Sequence, residues 1–309
     1  MGQVLAQLPQ QIVNGLTLGS VYALLALGYS MVYGILKMLN FAHGDVFMVG
    51  AFAGWGVLTL FTLNGTLSTN PLAVILLMLA AATAATSILG GLIERFAYRP
   101  LSGSSRLAPL ISALGVSIIL ENAAMLLTAG RAKAYQTEAL IPPSWTVYLG
   151  STAISATRLA IIATSCVVML ALDFAVSRTM LGKAMRATSE DPEAAEYMGV
   201  RTSKVIAATF VIGSGLAGVA GVMIGLYYMQ VDFIMGFSAG LKAFTAAVLG
   251  GIGSIRGAMA GGIVLGLAES LGVLFVAPVY KDAIVFTVLI ATLILKPAGI
   301  LGERVHDKV

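Results

Sequence analysis

The sequence predicts an all-α polytopic integral membrane protein with about 8–9 transmembrane helices. Three observations lead there. Hydrophobic residues make up 58% of the chain and charged residues 10%, against about 25% charged in an ordinary soluble domain. Mean hydropathy is +0.94. The apolar runs are spread along all 309 residues, leaving no stretch for a separate soluble domain, so a single membrane domain over 1–309 is expected.

Crossing a hydrocarbon core of about 30 Å takes about 20 apolar residues. Segments of that kind run near 12–36, 41–63, 72–93, 107–128, 158–177, 205–229, 237–253, 257–277 and 282–299. Those at 41–63 and 237–253 each begin with polar residues, and the second is short, which is the pattern of an interrupted or re-entrant helix. The opening MGQVLAQLPQQ has no basic residue ahead of the first apolar run. It lacks the charged region of a cleaved signal, so the first segment is expected to stay attached. Cys166 is the one cysteine, which excludes an internal disulfide and a cysteine-based metal cluster.

The net charge of +4 would suit nucleic acid in a soluble protein, but in a membrane protein basic residues mark cytoplasmic loops. With nine spans, loops 37–40, 94–106, 178–204, 254–256 and the tail from 296 share one side and hold 13 of the 18 Lys and Arg. Arg131, Lys133, Arg158 and Lys281 fall on the other side, and Lys242 lies inside a span. The bias predicts an external N-terminus and a cytoplasmic C-terminus.

Loop 178–204 gathers nine of the 32 charged residues. In it, Asp191, Pro192 and Glu193 form a helix start: the carboxylate accepts from the free amides of the first turn, proline suits the first position, and Glu193 complements the dipole. Gly199 is placed to end that helix. About two turns are too few to persist in water, so packing must hold them. Ala194, Ala195 and Met198 are expected on one side, Glu193 and Glu196 on another. A merely solvated charged loop is the alternative.

Glu193-Ala194-Ala195, with Gly199 four residues after the second alanine, resembles the EAA motif of ABC importer permeases. The Leu-Pro pair usual downstream is absent, since Lys204 is followed by VIAATFVIG. The resemblance extends to NGLTLGSVYALLALGYSMVYGILKMLNFAHGDVFMVGAF at 14–52, ERFAYRPL at 94–101, LKAFTAAVLGGIGSIRGAMAGG at 241–262 and KPAGILG at 296–302. These stretches are similar to the LivH-type permease subunits of branched-chain amino acid ABC importers. The resemblance implies an inner-membrane subunit working with a second permease of LivM type, two ATP-binding cassette subunits and an external substrate-binding protein. It implies that Asp191, Pro192, Glu193, Ala194, Ala195, Met198 and Gly199 couple to the ATPase, which binds ATP and Mg while this chain holds no cofactor. The sequence agrees, because no G-x-x-x-x-G-K-[ST] loop occurs in it. Leucine, isoleucine or valine is the implied substrate, with urea or short amides as the alternative.

Six ionisable residues fall in or near spans: His43, Asp45, Glu121, Asp173, Lys242 and Glu269. A charged group there costs about 2.5–3.5 kcal/mol on insertion scales and needs a partner or water. Glu121 is expected to pair with Asn122 and neighbouring helices in a structural role, and Asp173 and Glu269 to lie near a membrane face, partly hydrated. A proton-coupled secondary transporter using Asp45, Glu121 or Glu269 is the reading from a different class. His43 and Asp45 have no further histidine nearby to complete a metal shell, and no G-x-S-x-G elbow marks a hydrolase. Gly251, Gly253 and Gly257 imitate a dinucleotide fingerprint, but the third glycine comes one residue late and the flanks are membrane-length apolar runs.

Phe41-Ala-His-Gly44-Asp45 and Phe237-Ser-Ala-Gly240-Leu-Lys242 both read F-[AS]-x-G before a Gly- and Ala-rich run. Interrupted helices in corresponding halves of a transporter expose free amide and carbonyl ends to a solute without water. Phe41, His43, Gly44, Asp45, Phe237, Gly240 and Lys242 are therefore the candidate residues of a substrate path. Coincidence in a glycine-rich chain is the competing reading.

Overall fold

A computed structural model of the chain describes residues 2–65, 70–101, 103–105, 107–142, 144–150 and 152–302. Arg106 and the tail from 303, which holds Arg304 and Lys308, lie outside the described residues. The helices are α1 (Gly2–Leu36), α2 (His43–Leu63), α3 (Pro71–Ile93), α4 (Leu107–Thr128), α5 (Ala156–Arg178), α6 (Met180–Glu190), α7 (Pro192–Tyr197), α8 (Thr202–Tyr228), α9 (Met235–Gly250), α10 (Ile255–Gly272) and α11 (Lys281–Leu295). Short strands β1 (Lys133–Ala134) and β4 (Gln230–Val231) pair antiparallel, as do β2 (Thr146–Leu149) and β3 (Thr152–Ser155).

Among the described residues, seven helices are long and apolar enough to cross a membrane. An eighth crossing is formed if α9 and α10, bent by 119° at their junction, count as one broken span. The short segment expected at 237–253 is thus the first arm of that bend. The second interrupted candidate, α2, is a full 21-residue helix, but its first residue, His43, sits against Gly28 of α1. Helix α1 runs on to Leu36, eight residues or about 12 Å further. Helix α2 therefore starts at depth inside the bundle.

Glycines set the packing. Helix α10 runs antiparallel to α1, so close that a Cβ on Gly15 would stand 2.9 Å from the Leu267 Cα and one on Gly19 2.9 Å from the Ile263 Cα. Helix α8 lies along α3 in the same antiparallel manner: a Cβ on Gly218 would meet the Ala82 carbonyl at 2.7 Å, and Ser87 donates to the Val211 carbonyl at 3.1 Å. Backbones approaching this closely gain van der Waals contact where no hydrophobic force separates helix from lipid.

The bundle has two distinct ends. At the end where α1 begins, Ala153 N–H donates to Gln10 Oε1 (2.8 Å), Ser270 Oγ to the Gln11 carbonyl (2.8 Å), and β1 meets β4. Tyr135, in the loop after α4, donates its hydroxyl to the Ala51 carbonyl at 2.5 Å. Burial pushes its phenol pKa up, the Trp55 backbone opposing. At the end where α1 finishes, a Cβ on Gly34 would stand 3.6 Å from the Gly253 carbonyl oxygen, Tyr98 donates to the Leu39 carbonyl, and Ile300 N–H to the Leu249 carbonyl. Lys37, Arg95, Arg99, Arg256, Lys296 and the five basic residues from Arg178 to Lys204 gather at this second end, whereas Arg131, Lys133, Arg158 and Lys281 stand at the first.

Candidate functional site

Helices α1 and α8 end alike. Lys37 turns the chain with φ 54° and Met229 with φ 56°, left-handed conformations that a bulky side chain adopts at a cost. Residues 37–42 lead from α1 to α2, and residues 229–234 lead from α8 to α9. The two connections have the same length. Aligned on those turns, Asn40-Phe41-Ala42-His43-Gly44 matches Asp232-Phe233-Ile234-Met235-Gly236. The structural mate of Phe41 is therefore Phe233. The F-[AS]-x-G likeness at Phe237 lies four residues beyond that mate, because a local match ignores where the turn falls. The two halves run in opposite directions, as an inverted repeat does: α1 and α8 are antiparallel counterparts, and each carries a half-depth helix after its turn.

Those half-depth helices begin against each other. A Cβ on Gly236 would lie 2.8 Å from the Gly44 carbonyl oxygen, and a Cβ on Gly44 would run into the Gly236 carbonyl. Gly240 closes the contact, its Cβ position lying 3.1 Å from the Gly44 Cα. Asp45 is buried beside them and accepts a hydrogen bond from Ser117 of α4. Its Oδ1 has no bonding partner among the described residues. The His43 ring is buried too, 4.8 Å from the Tyr29 ring and edge-on to it. A cavity of about 40 Å³, lined by Tyr29, Phe41, Ser117, Gly240 and Phe244 among others, opens beside this cluster. The structure thus brings Phe41, His43, Gly44, Asp45 and Gly240 together, and Phe237, though largely exposed, lines the same cavity.

Lys242 belongs to a second cluster. Its Nζ lies 2.9 Å from Glu269 Oε1 and 2.9 Å from Asp282 Oδ1, and Tyr22 Oη donates to Glu269 Oε2 at 2.9 Å. Four helices are tied there. Glu269, expected to be partly hydrated, is instead 1% exposed, because Gly262 and Gly266 seat α10 directly on the α1 backbone and exclude water. A carboxylate so placed needs its charge matched and its lone pairs bonded, and Lys242 with Tyr22 does both. Asp173 pairs with Arg256 at 3.3 Å. The expected Glu121–Asn122 contact does not form, since Asn122 donates to the Ile118 carbonyl of its own helix.

A family model described as the permease component of branched-chain amino acid transport systems matches residues 11–293. The chain belongs to this permease family. The high-affinity branched-chain amino acid transport system permease protein BraD of Pseudomonas aeruginosa is 47% identical over 303 residues, 97% of each chain. LivH of Escherichia coli, of the same description, is 44% identical over 97% of each. A probable LivH from Methanocaldococcus jannaschii is 27% identical over 92% of this chain and 89% of its own. These relatives are components of transport systems and not enzymes, and a permease component implies partner subunits.

In this permease the segment 178–204 folds as two helices. Helix α6 was not anticipated, although Gly182, Met185 and Thr188, all buried, mark one face at a spacing of three. Thr179 caps it by accepting from Gly182 N–H. Helix α7 forms as read: Asp191 Oδ1 accepts from the amides of Glu193 (2.9 Å) and Ala194 (3.0 Å), and Gly199 ends the turn at φ 86°. The faces differ from expectation. Ala195 is 4% exposed and points into the protein, whereas Tyr197 and Met198 are 89% and 84% exposed, with Ala194 and Glu193 also outward. Packing explains this, because a helix of six residues pressed on the bundle has room for one inward side chain. Thr202, starting α8, donates to Glu196 and ties the two helices.

Proposed function

We propose that the chain is the membrane-spanning subunit of an ATP-driven importer that moves leucine, isoleucine or valine across the bacterial inner membrane. In this reading the end with the basic excess faces the cytoplasm, the N-terminus lies outside, and the C-terminus lies inside. A second permease of LivM type, two ATP-binding cassette subunits and an external substrate-binding protein complete the assembly. ATP and Mg bind the cassette subunits. The relatives named above are branched-chain amino acid permeases, so a urea or short-amide substrate is not favoured.

The observation that carries this reading is the placement of α7. It stands on the basic end, capped at both termini, with Ala194, Tyr197 and Met198 uncovered and its Glu196 bonded to the first residue of α8. From there α8 runs inward: a Cβ on Gly213 would stand 3.4 Å from the Gly28 Cα, and one on Gly221 2.7 Å from the Ala51 amide nitrogen of α2. A push on α7 from an ATPase closing beneath it is therefore delivered to the helix that begins at the Gly44–Gly236 contact. At that contact two helix starts offer free amides to a carboxylate, and Asp45 offers an unbonded oxygen to an ammonium. Phe41, His43, Gly44, Asp45, Phe237, Gly240 and Lys242 form the path in this account.

Gly199→Val tests the coupling. At φ 86° a β-branched residue is strained, although nothing stands within 4 Å of the position, so the damage falls on the α7 turn alone. The expected result is normal membrane insertion with lost co-purification of the ATPase. Unchanged co-purification and leucine uptake would refute the assignment. Leucine uptake by the purified chain under a proton gradient, with no ATPase present, would favour the secondary-transport reading instead.

A further inference from the structure

A cavity of about 350 Å³ opens between α1, α2, α8 and α9 near the end where α1 begins; Tyr22, Phe47, Ile224, Asp232, Ser238 and Lys242 are among its walls. That volume falls at the lower edge of small-ligand sites, about 300–1,000 Å³. Its walls are mainly apolar, with one positive and one negative side chain. From this we infer that the cavity is a binding subsite for an apolar amino acid in its zwitterionic form, with Lys242 receiving the carboxylate and Asp232 the ammonium. The inference rests on the importer reading above and names a place in the path outside the Gly44–Gly236 contact.

Lys242 is built for the task. An ammonium carries three N–H donors; Glu269 and Asp282, each at 2.9 Å, take two, which leaves one for a carboxylate in the cavity. Glu269 is itself fixed by Tyr22, so the ammonium is held in place before any solute arrives. Of the two carboxylates Asp282, at 62% exposed, is the looser. Asp232 bonds Ile234 N–H through Oδ1 at 3.0 Å, leaving Oδ2 free for an ammonium. Its counterpart across the inverted repeat is Asn40, so the acidic group stands in only one of the two matched turns. Phe47, Ile224 and Tyr22 supply apolar surface for a branched side chain.

The experiment uses the full complex in proteoliposomes with its binding protein and ATP, and measures uptake of radiolabelled leucine. Two variants separate binding from folding. Asp232→Asn changes a loop residue outside the buried ion-pair network. Lys242→Met with Glu269→Gln removes that pair as a unit and strands no buried charge. Each is expected to lower leucine uptake by about tenfold or more, the loss of one charge-assisted contact, while ATP hydrolysis by the assembled complex persists. Undiminished uptake in both variants overturns the subsite and leaves the importer reading standing. Absence of leucine uptake in the wild-type complex would sink the importer reading first. A third measurement reads the geometry: in wild type, excess 4-methylpentanoate, which lacks the ammonium, should compete poorly with leucine for the complex stripped of its binding protein. In Asp232→Asn it should compete relatively better, and an unchanged ratio would count against the assigned polarity.

Discussion

Adding a single methyl group at Gly44 puts the contact between the two interrupted helices to the test. In Gly44→Ala the new Cβ would stand 3.0 Å from the Gly240 Cα and harder still against the Gly236 carbonyl. Both obstacles are backbone, so no side chain can swing away, and α2 and α9 must part by several tenths of an ångström. Overpacking of this kind costs about 1–3 kcal/mol, offset by at most about 1 kcal/mol from replacing a helical glycine. With two backbone obstacles the upper part of that range applies, about 2–3 kcal/mol, and the net expectation is a loss of about 1–2 kcal/mol. Gly56→Ala is the control, because it lies on the same helix with nothing within 4 Å and should gain up to about 1 kcal/mol. Heat-inactivation half-lives and leucine uptake of the assembled complex in nanodiscs, measured side by side, decide the matter. A Gly44→Ala protein as durable and as active as Gly56→Ala would refute a backbone-to-backbone junction at this point.

Asp191→Ala removes the acceptor for two amides at the start of α7 and should cost about 1 kcal/mol locally; the expected result is reduced ATPase co-purification with unaltered membrane insertion, scored by pull-down. Tyr135→Phe deletes the hydroxyl that bonds Ala51 and should cost about 1 kcal/mol, read as an earlier unfolding midpoint at neutral pH. Because burial raises the Tyr135 pKa in the folded state, its stabilisation is intact below the ordinary tyrosine value of about 10 and declines as pH climbs beyond it. The phenylalanine variant should lack that part of the alkaline decline, and identical pH profiles would contradict the assignment.

Several elements were legible because their causes are local. The apolar runs announce the spans, Asp191-Pro192 announces the start of α7, and Gly199 announces its end through a conformation that few other residues tolerate. What escaped reading has non-local causes. Lys242 and Glu269 are 27 residues apart, and Tyr22 is 247 residues from Glu269, so the pairing appears only once the α1–α10 seam is formed. Helix α6 is masked by the charges of loop 178–204, although Gly182, Met185 and Thr188 carry the helical spacing. Ala195 turns inward because α7 leans on the bundle, a fact about packing that a six-residue motif cannot contain. The F-[AS]-x-G match marks the neighbourhood of the repeat but not its register, since left-handed turns at Lys37 and Met229 align the halves and a lysine or methionine gives no hint of positive φ.

The glycine seams have a mechanical consequence. Helices α1 and α10 touch main chain to main chain, as do α3 and α8, so each couple resists sliding and travels as one slab. The Gly44–Gly236 junction is a contact of the same kind, main chain on main chain, so the starts of the two half-depth helices are held to each other and shift together.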